Sequence, residues 1–405
     1  MVVVGNQRTK TVRVGVIDAA GLYLPGGTRH ARTRATVDAW AITRVCQLDQ
    51  LWFHPSAAGD APGGAWLDDG GRGALVNPAR WDVGDVAFAG ALDGYTLLAA
   101  VETFNRALAW PFRYSPGATG RHLADALAPR PRQPVADGDW PAPALNGGLT
   151  NPPTMIRLPD DPRGRYMHTY DKNGMYLAAC SSVELGLGGL MERHDALLDT
   201  SLPGYWEWLP REWYATPGAE MLEDLNTAAV PFEGACVWTE HNRALRPWYE
   251  RLRDARATLQ SDGSPEGRIA LAVLKNVYTA AIGHWASPKL RANAPGQYRP
   301  DWRHMIEATA HANMRRQITK LDAAGTPPLA LTDVDTLWFL SDERDATTAA
   351  PPLLRLGSGL GQFKPKDTLD ADDGIAHLRL LQDRSAARRA RRGPAREEVP
   401  HGIAR

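Results

Sequence analysis

Residues 331–336 read Leu331-Thr332-Asp333-Val334-Asp335-Thr336 and lie between two apolar runs, 328–331 and 337–340. Carboxylates one residue apart repel each other unless solvent or a cation relieves them. With apolar sequence on both sides, the acids have one comfortable place, the turn between two strands. A hairpin with an acidic tip is therefore predicted. Such a tip is commonplace on its own, so its meaning depends on what else the chain carries.

Two further stretches precede it. In Tyr170-Asp171-Lys172-Asn173-Gly174-Met175-Tyr176-Leu177 an acid follows a strand predicted over 165–170. Leu274-Lys275-Asn276-Val277-Tyr278 runs on to Ile282-Gly283-His284-Trp285, and a helix is predicted over 268–282. An acid at a strand end, a Lys on a helix and an Asp-x-Asp hairpin, in that order, are what nucleotidyl transfer to a nucleic acid requires. Carboxylates hold two divalent ions about 3.5–4 Å apart, which clamp the attacking and leaving oxygens. A cation on a neighbouring helix holds the triphosphate. Each part also has a bland reading. Asp171 is then a turn or cap residue, Lys275 a solvated helix residue, Tyr176 a core Tyr, and His284 and Trp285 packing residues.

The order and spacing resemble family B DNA polymerases, and within them the protein-primed branch of bacteriophages and linear replicons. Against the family motif D-x-x-S-L-Y-P, Asp171 keeps the metal-binding acid and Tyr176 the sugar-selecting Tyr, while Gly174, Met175 and Leu177 replace Ser, Leu and Pro. Against K-x-x-x-N-S-x-Y-G, Lys275 and Gly283 are in register, while Thr279, Ala280 and Ile282 replace Asn, Ser and Tyr. Against Y-x-D-T-D-S, Asp333 and Asp335 are kept, while Leu331 and Thr336 replace Tyr and Ser. Residues 360–366, Leu-Gly-Gln-Phe-Lys-Pro-Lys, resemble the Gly-then-Lys strand that the family places near the primer terminus. The resemblance covers roughly residues 165–370.

It implies Asp171 and Asp335 as direct metal ligands with Asp333 supporting them. Two Mg2+ ions, with Mn2+ as a substitute, suit such hard oxygen donors. Lys275 and Gly283 would meet the nucleotide triphosphate, Tyr176 would lie under its sugar, and Lys364 and Lys366 would touch DNA. The implied fold is α/β, a palm-like antiparallel sheet with packed helices behind an N-terminal α/β domain. The implied activity is template-directed DNA synthesis from a DNA primer-template and deoxynucleoside triphosphates, with a priming protein as a further partner. A linear plasmid, phage or integrated mobile element is a natural home. Two other readings stay open. One is a catalytically silent polymerase-like protein that binds DNA ends or serves replication as an accessory. The other is a two-metal nuclease, which needs neither the triphosphate Lys nor the sugar-gate Tyr.

The predicted N-terminal strand, 11–17, ends at Asp18. The family's exonuclease strand carries Asp-x-Glu, but here Asp18-Ala19-Ala20 lacks the Glu. Residues 1–130 are read as an inactive exonuclease-like domain or as an unrelated α/β domain in which Asp18 caps a turn. Residues 55–90 read as long loops with short strands. Helices are predicted over 94–108, 122–127, 245–259 and 302–321, and a strand around Val237-Trp238. Pro-dense residues 131–160 are read as a linker, 161–383 as a palm-and-fingers region, and 384–405 as a basic disordered tail.

A chain of 405 residues suits two or three domains, and its 43% hydrophobic content is ordinary for a soluble protein. No apolar run reaches the roughly 18 residues of a membrane span. Met1 to Lys10 has no signal-peptide core, so a cytoplasmic location is expected. Cys46, Cys180 and Cys236 are too few and too scattered for a disulfide framework or a zinc site. The formal net charge is zero, so no global basic field points to nucleic acid. Placement is more telling. Lys occurs only at positions 10, 172, 275, 289, 320, 364 and 366, and the Lys residues at 275, 364 and 366 fall in the segments above.

Overall fold

The structure is a computed structural model that describes residues 12–31, 39–57, 66–67, 73–76, 93–128, 140–145, 155–158, 162–209, 212–216 and 232–392. Its strands are β1 (Val14–Ile17), β2 (Gly21–Leu24), β3 (Thr28–Ala31), β4 (Gln50–Phe53), β5 (Trp66–Leu67), β6 (Ala74–Val76), β7 (Met155–Ile156), β8 (Tyr166–Lys172), β9 (Leu185–Ala196), β10 (Gly204–Leu209), β11 (Glu212–Ala215), β12 (Phe232–Asn242), β13 (Ala330–Thr332), β14 (Thr336–Ser341) and β15 (Phe363–Asp370). Its helices are α1 (Ala39–Val45), α2 (Gly94–Leu108), α3 (Pro116–Leu127), α4 (Ala142–Leu145), α5 (Met175–Ala179), α6 (Arg246–Asp262), α7 (Pro265–His284), α8 (Pro288–Asn293), α9 (Pro300–Ala323) and α10 (Ala371–Arg392). The fold is mixed α/β.

The chain divides into two compact units that are discontinuous in sequence. One is Met1–Thr150 with Tyr176–Ala310, and the other is Asn151–Met175 with His311–Arg405. Long-range strand pairing groups β8 with β14 and β15, far along the chain.

In the first unit, six strands run in the order β3-β2-β1-β4-β6-β5. β1, β4 and β6 are parallel, and the flanking strands are antiparallel. Leu48, Leu51, Phe53 and Leu75 form one core, with Ile42 of α1 packed on it. A helical layer of α2, α3, α6 and α7 lies in the same unit. Side-chain caps start three of these helices. The Asp93 carboxylate accepts the Thr96 N–H and caps α2, whose Leu97, Val101, Phe104 and Leu108 make one buried stripe. Ser115 and Ser264 cap α3 and α7, each followed by Pro at the first turn, where a missing N–H costs nothing. α3 crosses α7 without a gap, since a Cβ on Gly120 would stand 2.6 Å from the Ala281 Cβ and 2.7 Å from the Val277 carbonyl oxygen. A second, antiparallel sheet of order β11-β10-β12-β9 carries the buried cluster of Trp206, Phe232 and Val237.

The second unit is built on a five-stranded antiparallel sheet of order β15-β8-β14-β13-β7. Helix α10 packs on it through Ile375 and Leu378, which join Met167, Ala330 and Trp338 in a core. The tail expected to be disordered from residue 384 thus begins inside a helix that runs to Arg392. That helix is anchored by the apolar stripe upstream, which the Arg-rich composition obscured. Residues 393–405 and most of the expected linker lie outside the described residues.

Candidate active site: an acidic pair on the antiparallel sheet

β8 is flanked by β14 on one side and β15 on the other. The register sets Asp171 opposite Thr336 of β14 and Lys364 of β15. Between β13 and β14, residues 333–335 make the turn, because Thr332 pairs with Thr336. The Lys172 N–H donates to the Asp335 carbonyl at 3.0 Å, which ties that turn to β8.

The result is a pair of acids from two distant segments. The Asp335 carboxyl lies within hydrogen-bond reach of Asp171 and accepts from the Thr336 hydroxyl at 3.3 Å. Burial, and then the negative charge of Asp171, push the Asp335 pKa up to about 6, and the Lys366 ammonium pulls the other way. Lys364 reaches the Asp171 Oδ2 at 3.0 Å. Asp333 is exposed, with φ +52°, and Val334 follows at φ +64°. Among the described residues no group of three or more His, Cys, Asp or Glu side chains is placed to hold a metal. Of the three expected acids the structure brings Asp171 and Asp335 together, while Asp333 stands exposed in the turn.

The pair suits a hard divalent cation. Two carboxylates share one small region, one of them binds its proton unusually tightly, and Mg2+ is held by one or two carboxylates together with substrate phosphates. Lys364 competes for one of the two. β15 is an edge strand, and its exposed Lys364, Pro365 and Lys366 also suit the blunting of an edge against further pairing.

The neighbourhood holds residues that the motif reading passed over. Lys172 points to the opposite face from Asp171, by strand alternation. Its ammonium lies 5.5 Å from the centre of the Phe363 ring, and burial lowers its pKa to about 8. It is one of the scarce Lys residues, which was the available signal. Asn173 fastens the loop before β15, donating its side-chain N–H to the Gly357 carbonyl at 2.7 Å and its backbone N–H to the Gln362 carbonyl at 2.8 Å. Nothing in the sequence pattern marks that clamp. The Tyr170 hydroxyl donates to the Ala346 carbonyl at 2.7 Å, and burial lifts its pKa to about 12.

Tyr176, Lys275 and Gly283 belong to the first unit. Tyr176 is half-buried on α5, and Lys275 is exposed on α7. Gly283 sits in the last turn of α7 with no atom within 4 Å of where its Cβ would be. In the N-terminal sheet the Asp18 Oδ1 accepts the Ala20 and Gly21 N–H groups at 2.7 and 2.9 Å, as a turn residue does.

No protein-family model matches the sequence, and no curated protein matches it. Among solved structures the chain is similar to phi29 DNA polymerase complexed with primer-template DNA, at 13% identity and a TM-score of 0.47, over 89% of this chain and 85% of that one. The orthorhombic crystal form of the same polymerase gives 11% identity and a TM-score of 0.46 over the same shares. The ternary complex with incoming nucleotide gives 13% and 0.43 over 66% of this chain and 54% of that one. Scores below 0.5 at such identities assign no function.

Proposed function

We propose that the protein is a family B-like nucleotidyltransferase that extends a DNA primer with deoxynucleoside triphosphates. The observation that carries this reading is the meeting of Asp171, on β8, with Asp335, in the turn that leads into the neighbouring strand β14, with Asp335 raised to about 6. Perturbed, mutually repelling carboxylates cluster at functional sites. The three motifs stand in the order the chemistry needs, with their charged members intact.

In this reading Asp171 and Asp335 hold the divalent ions, Mg2+ or Mn2+. When bound, such ions lower the pKa of the attacking hydroxyl and offset charge on the leaving group. Asp171 must then exchange its Lys364 partner for metal, which frees the Lys364 ammonium for a DNA phosphate, with Lys366 beside it. Asp333, at the tip, adds negative potential without acting as a ligand. The motif order assigns Lys275 and Gly283 to the triphosphate and Tyr176 to the sugar. A priming protein and an inactive exonuclease-like N-terminal domain are finer parts of the same proposal.

The Lys364–Asp171 ion pair also supports a second reading, a catalytically silent relative that binds DNA ends, because it already neutralises one acid. Labelled-nucleotide incorporation on a primer-template with Mg2+ or Mn2+ separates the two. Activity is expected in the wild type. A loss of at least a hundredfold is expected in Asp335→Ala, and in Lys275→Ala a raised KM for nucleotide with DNA binding intact. No incorporation by the wild type under either metal sinks the polymerase reading.

A further inference from the structure

Away from the acidic pair, the first unit gathers cations around one spot. Arg121 of α3 is 5% exposed. Its Nη1 meets the Asp125 Oδ2 at 3.4 Å and also the Gln297 amide oxygen. Its Nη2 faces the His122 Nε2 at 3.4 Å. A guanidinium can only donate, so Nε2 accepts and His122 carries its proton on Nδ1. Arg113 enters from the segment before α3, with its guanidinium 5.9 Å from the centre of the Trp110 ring. His284 closes α7, which packs along α3.

These groups act on one another. Burial, and then the positive charges of Arg121, Arg113 and His284, hold the His122 pKa down to about 4. Burial and Arg121 lower that of His284. Asp125 faces Arg121 from the same helix, and no acid acts appreciably on either imidazole. Four buried nitrogens here, Arg121 Nε, Arg113 Nε, His284 Nδ1 and Trp110 Nε1, have no hydrogen-bond partner among the described residues. Buried polar nitrogens are normally satisfied, and each exception asks for an explanation. His122 and His284 are both only half-buried.

We propose that Arg113, Arg121, His122 and His284 form a binding site for a phosphoryl group. The two guanidinium groups and two imidazoles come from three segments, Arg121 and His122 from α3, Arg113 from the stretch before it and His284 from the end of α7. A tetrahedral oxyanion accepts donors from several directions at once, and arginine is the residue that suits it best. The assignment is independent of the Asp171–Asp335 reading. The phosphoryl group belongs either to a nucleic-acid strand or to a free phosphate compound, and the test distinguishes these.

The test follows the His122 imidazole by long-range proton–nitrogen NMR in the full chain, with the signal assigned by His122→Gln. The pH titration is repeated with pyrophosphate, with a single-stranded DNA 12-mer, and with the uncharged methylphosphonate 12-mer of the same sequence. A neighbouring anion favours the imidazolium, so the His122 pKa rises by at least one unit with the ligand that binds. A rise with pyrophosphate assigns a free phosphate compound. A rise with DNA alone, absent with the methylphosphonate, assigns a strand. Arg113→Gln, at a half-buried position, weakens that binding at least tenfold with an unchanged amide spectrum. The proposal fails if neither charged ligand moves the His122 titration, or if folded Arg113→Gln binds as the wild type does. Should Arg113→Gln unfold, the wild-type titration still decides.

Discussion

At Asp335 the carboxyl holds its proton more tightly in the folded chain than in the unfolded one, so ionisation opposes folding. The stability of the protonated form is fully present below the unfolded value near 3.8 and is lost as pH rises through about 6, above which the ionisation penalty is complete. Because the group is only partly buried, solvent screening leaves about 1 kcal/mol of a larger nominal shift. Asp335→Asn is therefore expected to be about 1 kcal/mol more stable than the wild type at pH 7.5, with no advantage below pH 4. Denaturant unfolding at the two pH values checks this, and equal stabilities at pH 7.5 would refute the crowded-pair picture. Added Mg2+ should raise the wild-type melting temperature and leave Asp335→Asn unmoved. One position further back, Val334 holds a left-handed backbone that β-branched residues resist. Val334→Gly should stabilise the fold by about 1 kcal/mol, the relief of strain less the entropy cost of Gly. A lower melting temperature in that variant would mean the turn is held by something other than its backbone. The acids themselves were legible in the sequence, because carboxylates between apolar runs have few places to go. That only two of them meet was not, since it hangs on left-handed angles at Asp333 and Val334 that Asp tolerates and Val does not advertise.

Among the elements, α2 was readable because its apolar residues recur at helical spacing. The expected span 94–108 is the observed Gly94–Leu108. The β13–β14 hairpin was readable from its apolar strands and polar turn. The closeness of α3 to α7 was not, since Gly117 and Gly120 look like turn residues until the partner helix is known. Gly120→Ala puts a methyl group against the Val277 carbonyl, where backbone must move, and should cost about 1–3 kcal/mol by overpacking. Thermal unfolding measures it. An unchanged melting temperature would show that the crossing is looser than the geometry says. Gly283 is the contrast, since its space is open.

For the whole molecule, the N-terminal sheet bears on proofreading. Hydrolysis by two metals needs its own acids. Asp18 already accepts two backbone N–H groups, and Ala20 stands where the family's exonuclease strand carries Glu. No 3′–5′ exonuclease activity is expected. End-labelled single-stranded DNA with Mg2+ decides it, and shortening that survives Asp335→Ala but vanishes in Asp18→Ala would show this unit to be an active nuclease.

The discontinuity of the second unit also has a consequence for how the protein is made. β8 finds its neighbours only in β14 and β15, and Lys364 follows Asp171 by about 190 residues. At a ribosome adding about 5–20 residues per second, that is a wait of about 10–40 s with Met167 and Tyr170 uncovered and both strand edges bare. A newly made strand in that condition is what chaperones retain and what aggregates recruit. The acidic pair thus cannot exist until about 160 further residues have followed Asp171 out of the ribosome.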